Sequence, residues 1–209
     1  NAGLVNADQA GGILRLLSDP KANSGTMRAT NGGSLYINAA LSQSPTGLLE
    51  AQNGSAVLLI STSVSGGTFA SSGTGAVINA NNQTSSIDGV TVTPGSLLQL
   101  NDNSTLNVGA AGLTNNGLVT VQNIGAPGNP VRLNAAAATP NLLGTGTIRL
   151  QSTSTGTDDT SLLGYTVAAN RFIIGPSQTI DGKGRIYTLL TNNGTIDANV
   201  STRTLQLLD

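Results

Sequence analysis

Hydrophobic and polar residues alternate along this chain in short bursts, and the bursts recur. Gly3-Leu4-Val5-Asn6-Ala7 returns as Gly25-Thr26-Met27-Arg28-Ala29, as Gly47-Leu48-Leu49-Glu50-Ala51, and near the end as Gly194-Thr195-Ile196-Asp197-Ala198. Looser copies begin at Gly67, Gly117, Gly146 and Gly184. After each glycine the second and fourth residues are apolar or small, whereas the third varies freely: Asn6, Arg28, Glu50, Thr120, Arg149, Asp197. Strand side chains point to alternate faces, so the second and fourth positions are predicted to face a core and the third to face water. The expected inward row is Val5, Met27, Leu49 and Phe69, with Ala7, Ala29 and Ala51 stacked beside it at a tight corner.

Gly3, Gly25 and Gly47 are evenly spaced, at a period of about 22 residues that marks a solenoid, a propeller or an array. Ten residues after each of them a second apolar run opens, at Ile13, Leu35 and Val57. Between the two runs lie Gly11-Gly12, Asn31-Gly32-Gly33 and Asn53-Gly54-Ser55, which supply the positive φ of a turn. One unit is therefore predicted to be strand, Gly/Asn turn, strand and polar loop. A leucine-rich repeat would need its fixed Leu and Asn pattern, and a propeller blade about 40 residues with aromatic signatures. Neither is present. Stacked strands with inward Val, Ile, Leu and Ala describe an all-β parallel solenoid with coils of about 20–22 residues, in which no coil can fold without its neighbours.

From Ile87 the apolar positions shift by one relative to glycine. The spacing then widens, from Gly89 to Gly117 and again from Gly117 to Gly146. Irregular coils with protruding loops are expected here, at Gly125–Pro130 and Ser152–Thr160. No compositional shift marks a boundary, so residues 1–209 are expected to form one solenoid domain.

Composition narrows the chemistry. Charged residues are 9 % of the 209 and formal net charge is −1, against a usual charged share of about 25 %. The nine Lys and Arg are spread along the chain, with no basic patch to hold phosphates, so nucleic acid is not an expected partner. There is no His and no Cys, which removes thiol nucleophiles, His-based triads and most zinc and haem sites. A Cys-free chain also cannot cross-link prematurely during export in an unfolded state. No apolar run is long enough to span a bilayer.

Few constellations could carry chemistry. Asp158 and Asp159, inside Thr157-Asp158-Asp159-Thr160, are oxygen donors of the kind calcium takes, or else a solvated turn. Asp181-Gly182-Lys183-Gly184-Arg185 sets an acid beside two bases; β-helix lyases and hydrolases use paired carboxylates or an Arg or Lys base on one face. The two glycines favour a coil corner with its charges pointing to water. Tyr36, Tyr165, Tyr187, Phe69 and Phe172 are expected to plug the core or cap a coil. No catalytic residue and no cofactor is assigned.

Three phrases carry a resemblance: Asn193-Gly194-Thr195-Ile196-Asp197-Ala198-Asn199 with Leu205-Gln206-Leu207, then Ile180-Asp181-Gly182-Lys183-Gly184, and Leu113-Thr114-Asn115-Asn116-Gly117. They resemble the repeats of autotransporter passengers and filamentous-haemagglutinin-like bacterial exoproteins, whose stalks are right-handed parallel β-helices. The resemblance covers nearly the whole chain and transfers no functional residue. It implies a structural or adhesive stalk segment, non-enzymatic, at the bacterial surface or in the extracellular matrix, and part of a longer repeat protein. The expected partners are further segments or copies of the same chain, and host or matrix glycans. The alternative is a carbohydrate-active β-helix, a polysaccharide lyase or hydrolase or a tailspike-like protein.

Overall fold

Each turn of the chain lays down three short strands. In the first coil these are Leu4–Ala7, Ile13–Leu16 and Lys21–Asn23; in the ninth they are Leu189–Asn192, Thr195–Asp197 and Leu205–Leu207. The computed structural model describes residues 1–123, 130–152 and 161–208. Among these residues, strands at the same position of successive coils pair in parallel to give three nine-stranded sheets and no helix. The fold is a right-handed parallel β-solenoid of nine turns, the hand that parallel crossovers overwhelmingly take. No helix of the described residues is long and apolar enough to cross a membrane.

The core is a set of stacked columns. In the first sheet Val5, Met27, Leu49 and Phe69 pair in register, and Ala7, Ala29 and Ala51 stack beside them, as the alternation predicts. The second sheet holds the longest column: Leu14, Leu35, Val57, Val77, Leu98, Val119, Ile148, Ile180 and Ile196, one from every coil without interruption. Between its two ends, every member is at most 1 % exposed. Each such side chain contributes roughly 1.5–3 kcal/mol by leaving water.

Three expectations need correction. The segment read as a polar loop contains a third strand: Lys21–Asn23, Leu41–Gln43 and Ser63–Ser65 open the third sheet. Its strands are very short at this end, too short for alternation to register. Second, Leu14 rather than Ile13 stands under Leu35, and Ile13 turns outward at 51 % exposure. The first coil holds one more residue in its turn than the next.

Third, the recurring glycine does not mark a single corner. Gly3, Gly25, Gly47 and Gly67 precede strands of the first sheet, Gly117, Gly146 and Gly194 precede strands of the second, and Gly184 opens a strand of the third. The first two corners need glycine for the same reason. A Cβ on Gly25 would overlap the Gly3 carbonyl oxygen, and one on Gly117 the Ser96 carbonyl oxygen. The widened spacing from Gly89 to Gly117 therefore compares unlike corners; the coil there, from Leu98 to Val119, matches those before it. The next coil, from Val119 to Ile148, is longer, and the one from Ile148 to Ile180 is longer still. In both, most of the added chain falls between the strand of the second sheet and that of the third, before Val131 and before Ser161, and the rest between the third sheet and the first. Of the two predicted loops, residues 125–129 and 153–160 lie outside the described residues.

Polar ladders accompany the aliphatic ones. Asn1 Nδ2 donates to Asn23 Oδ1 at 2.9 Å, Asn23 Nδ2 to Gln43 Oε1 at 3.0 Å, and Gln43 Nε2 to the Gly66 carbonyl at 3.3 Å. Asn23 and Gln43 are buried, so each amide answers its neighbour in the column instead of being desolvated without a partner.

Leu98 fills the middle of the longest column and Gln99 beside it points outward. Leu98→Ala is expected to cost about 3 kcal/mol, the range for a cavity in a packed core. Gln99→Ala should change stability by no more than about 0.5 kcal/mol. Urea midpoints of the two variants check the register, and equal losses would refute it.

Candidate functional site

Alternate positions of each strand face outward, so any site on this protein is built from outward columns whose rungs stand one strand spacing, about 4.8 Å, apart. The acid-and-bases segment is divided among them. Asp181 lies on the outer face of the second sheet, Arg185 on that of the third, and Lys183 at the corner between. Asp181 does not point to water. Its carboxylate accepts Arg149 Nε at 2.9 Å and Nη2 at 2.7 Å from the coil before, and Asn199 Nδ2 at 3.0 Å. The Asp181 side chain is 6 % exposed and that of Arg149 40 %. The hydrogen bond to Asp181 raises the Arg149 pKa from its ordinary value against an opposing desolvation. This bidentate pair ties two consecutive coils together. Asp158 and Asp159 lie outside the described residues. Among the described residues no three His, Cys, Asp or Glu side chains gather as a metal site would need.

The aromatics divide as well. Phe69 and Phe172 plug the core. Tyr36 lies outside, with the Arg15 guanidinium 4.5 Å from its ring centroid. Tyr165 and Tyr187 stack on the outer side of the third sheet, centroids 5.6 Å apart and planes 16° from parallel. Desolvation and the neighbouring Tyr187 hydroxyl push the Tyr165 phenol above its ordinary value.

These two tyrosines line a groove of about 360 Å³ together with Arg132, Asn134, Leu162, Gly164 and Arg185. The sheet places them. Arg132, Leu162 and Arg185 occupy one outward column in three consecutive coils. Asn134 pairs with Gly164 in the neighbouring column, and Tyr187 follows Gly164, its N–H bonded to the Leu163 carbonyl at 2.7 Å. In the middle coil the Asn134 side chain packs against Gly164, where a Cβ would overlap its Oδ1, and Leu162 stands between the two arginines. Arg185 is steadied by donation from Nε to Gln206 Oε1 at 2.9 Å. No carboxylate of the described residues pairs with Arg132.

No protein-family model matches the chain, and no curated protein or solved structure is significantly similar to it. Function is therefore read from the groove and from the architecture that presents it. Sequence reasoning missed the groove because its lining comes from three coils of unequal length. Only the register between those coils brings Arg132, Leu162 and Arg185 into one column.

The Arg149–Asp181 pair generates an asymmetric expectation. Arg149→Ala strands a nearly buried carboxylate and should cost about 2 kcal/mol, below the full cost of breaking a buried pair because Arg149 is itself partly hydrated. Asp181→Asn keeps an acceptor for Arg149 and should cost about 1 kcal/mol. Thermal or urea unfolding of both variants checks the order of the two losses.

Proposed function

We propose that this chain is a non-catalytic stalk segment of an exported bacterial surface or matrix protein, one whose work is to span distance and present an adhesive face. The observation that carries the reading is the unbroken aliphatic column of the second sheet, Leu14 to Ile196, which threads all nine coils. Such a column makes length additive, because each coil touches only its neighbours. The Asn-Gly-Thr-Ile-Asp-Ala phrase at 193–198 adds the resemblance to autotransporter and filamentous-haemagglutinin-like repeats. A chain without Cys cannot cross-link prematurely during export in an unfolded state. The engagement of Asp181 by Arg149 and Asn199 favours a structural use of that carboxylate over a catalytic one.

Excision of whole coils tests the reading. Removing residues 25–46 joins Ser24 to Gly47 and brings Leu4 against Leu48 and Leu14 against Val57, since both pairs already share the columns of the deleted coil. The shortened chain should keep its β circular dichroism and lose about 4.8 Å of length in solution scattering. Removing residues 25–35 instead puts a turn where a strand belongs, and that chain should aggregate or lose its β signal. If both deletions behave alike, the coil is not the unit of length and the stalk reading fails.

A further inference from the structure

We propose that Asn53 is a site of spontaneous covalent modification: the Gly54 backbone nitrogen displaces its side-chain amide, which leaves aspartate or isoaspartate at that corner. The proposal does not depend on the stalk reading above. Asparagine followed by glycine is the pairing most open to this reaction, because glycine has no side chain to hinder the approach of its nitrogen to the asparagine Cγ. Four such pairs occur: Asn31-Gly32, Asn53-Gly54, Asn116-Gly117 and Asn193-Gly194. What separates them is the glycine N–H, since a nitrogen that donates a hydrogen bond is held in place and gives up its proton less readily. Gly32 N donates to Ser55 Oγ at 2.9 Å, Gly117 N to Asn115 Oδ1 at 3.1 Å and Gly194 N to Asn192 Oδ1 at 3.1 Å. Gly54 N has no acceptor among the described residues, and both Asn53 and Gly54 are exposed.

The register between coils explains the exception. Asn31-Gly32 and Asn53-Gly54 take the same corner, between the first and second sheets, in successive coils. Asn and Gly have positive φ in both pairs, 54° and 78° in the first, 23° and 72° in the second. The same bond closes each turn: Gly33 N donates to the Thr30 carbonyl at 2.9 Å and Ser55 N to the Gln52 carbonyl at 3.0 Å. Ser55, one coil on, then supplies the hydroxyl that engages Gly32. Ala56 pairs with Ala76, so the rung beyond Ser55 is Gly75, which has no hydroxyl to offer Gly54. The two turns are alike in sequence and conformation, and one of them lacks the acceptor.

The reaction needs only water and hydroxide. Hydroxide takes the Gly54 amide proton, the nitrogen attacks Asn53 Cγ, and the bond from Cγ to Nδ2 breaks. The departing nitrogen takes protons from water and leaves as ammonia. The cyclic imide that remains has two carbonyls joined through the Gly54 nitrogen. Water opening the bond from that nitrogen to Cγ gives aspartate. Opening of the bond to the Asn53 backbone carbonyl gives isoaspartate, with the main chain now running through Cγ and one carbon longer. Either product adds a negative charge at an exposed corner, and the second also lengthens the turn between Leu48–Gln52 and Ala56–Leu59.

Incubation of the folded chain at mildly alkaline pH, followed by peptide mapping in a mass spectrometer against an unincubated sample, tests the assignment. Trypsin with a glutamate-specific protease cuts after Arg28 and Glu50 and puts Asn31 and Asn53 on separate peptides. Fragmentation of the second peptide distinguishes Asn53 from Asn116. Asn53 is expected to convert about fivefold faster than Asn31, the effect of one hydrogen bond, and faster than Asn116 and Asn193. In urea all four should convert at similar rates. Ser55→Ala removes the acceptor of Gly32 and should bring Asn31 up to the rate of Asn53, with circular dichroism reporting that the fold is kept. Conversion of any of the other three as fast as Asn53 in the folded chain overturns the proposal. So does the same order persisting in urea, which would trace it to sequence alone. A slow Asn31 in folded Ser55→Ala would show that the acceptor is not the cause, and overturns it too. If that variant fails to fold, the rates in the unsubstituted chain, folded and in urea, still decide.

Discussion

Backbone N–H groups of one coil are answered by carbonyls of the coil before it, as when Thr26 donates to Gly3, Leu48 to Gly25 and Thr68 to Gly47, each at 2.9 Å. This parallel stacking governs the rest of the molecule. It leaves no freedom at the corners: where a strand enters beneath the preceding coil, as at Gly25 and Gly117, a Cβ would meet the carbonyl already there. It also sets each side chain directly above and below its counterparts in the neighbouring coils. Aliphatic columns then exclude water along the axis. The amides of Asn1, Asn23 and Gln43 hydrogen-bond along their own column.

The same stacking separates stability from surface chemistry. Inward columns are constrained by packing, whereas outward ones change identity from coil to coil: Arg15, Tyr36, Leu58, Ile78, Gln99, Thr120, Arg149 and Asp181 share one column of the second sheet. Adjacent rungs are close enough to interact, so Arg149 and Asp181 form a bidentate pair across one strand spacing. Where a rung is glycine, the column opens instead. Gly164 makes room for the Asn134 side chain, whose Oδ1 a Cβ would overlap, and lines a groove with Arg132 and Arg185. The core beneath is unaffected, and Leu133, Leu163 and Ile186 remain stacked and buried.

The repeat, the all-β class and the inward rows of the first coils could be read from the residues alone. Alternation with period two and a recurring corner glycine are local signals, and local signals survive in a one-dimensional string. Val5, Met27, Leu49 and Phe69 were legible because their coils differ little in length. What remained was settled only on folding. A strand as short as Lys21–Asn23 shows too little alternation to be told from a loop, so the third sheet was hidden. Two corners with the same steric demand carry the same glycine, so Gly117 and Gly146 could not be told from Gly25 until pairing assigned them to the second sheet. Tyr165 and Tyr187 look like core residues in a chain with few aromatics, and only the strand-end geometry sets them outside. The partner of Asp181 and the lining of the groove come from coils of unequal length, Val119 to Ile148 and Ile148 to Ile180 on the second sheet. No fixed period predicts which residues meet there; the hydrogen-bonded register between coils does.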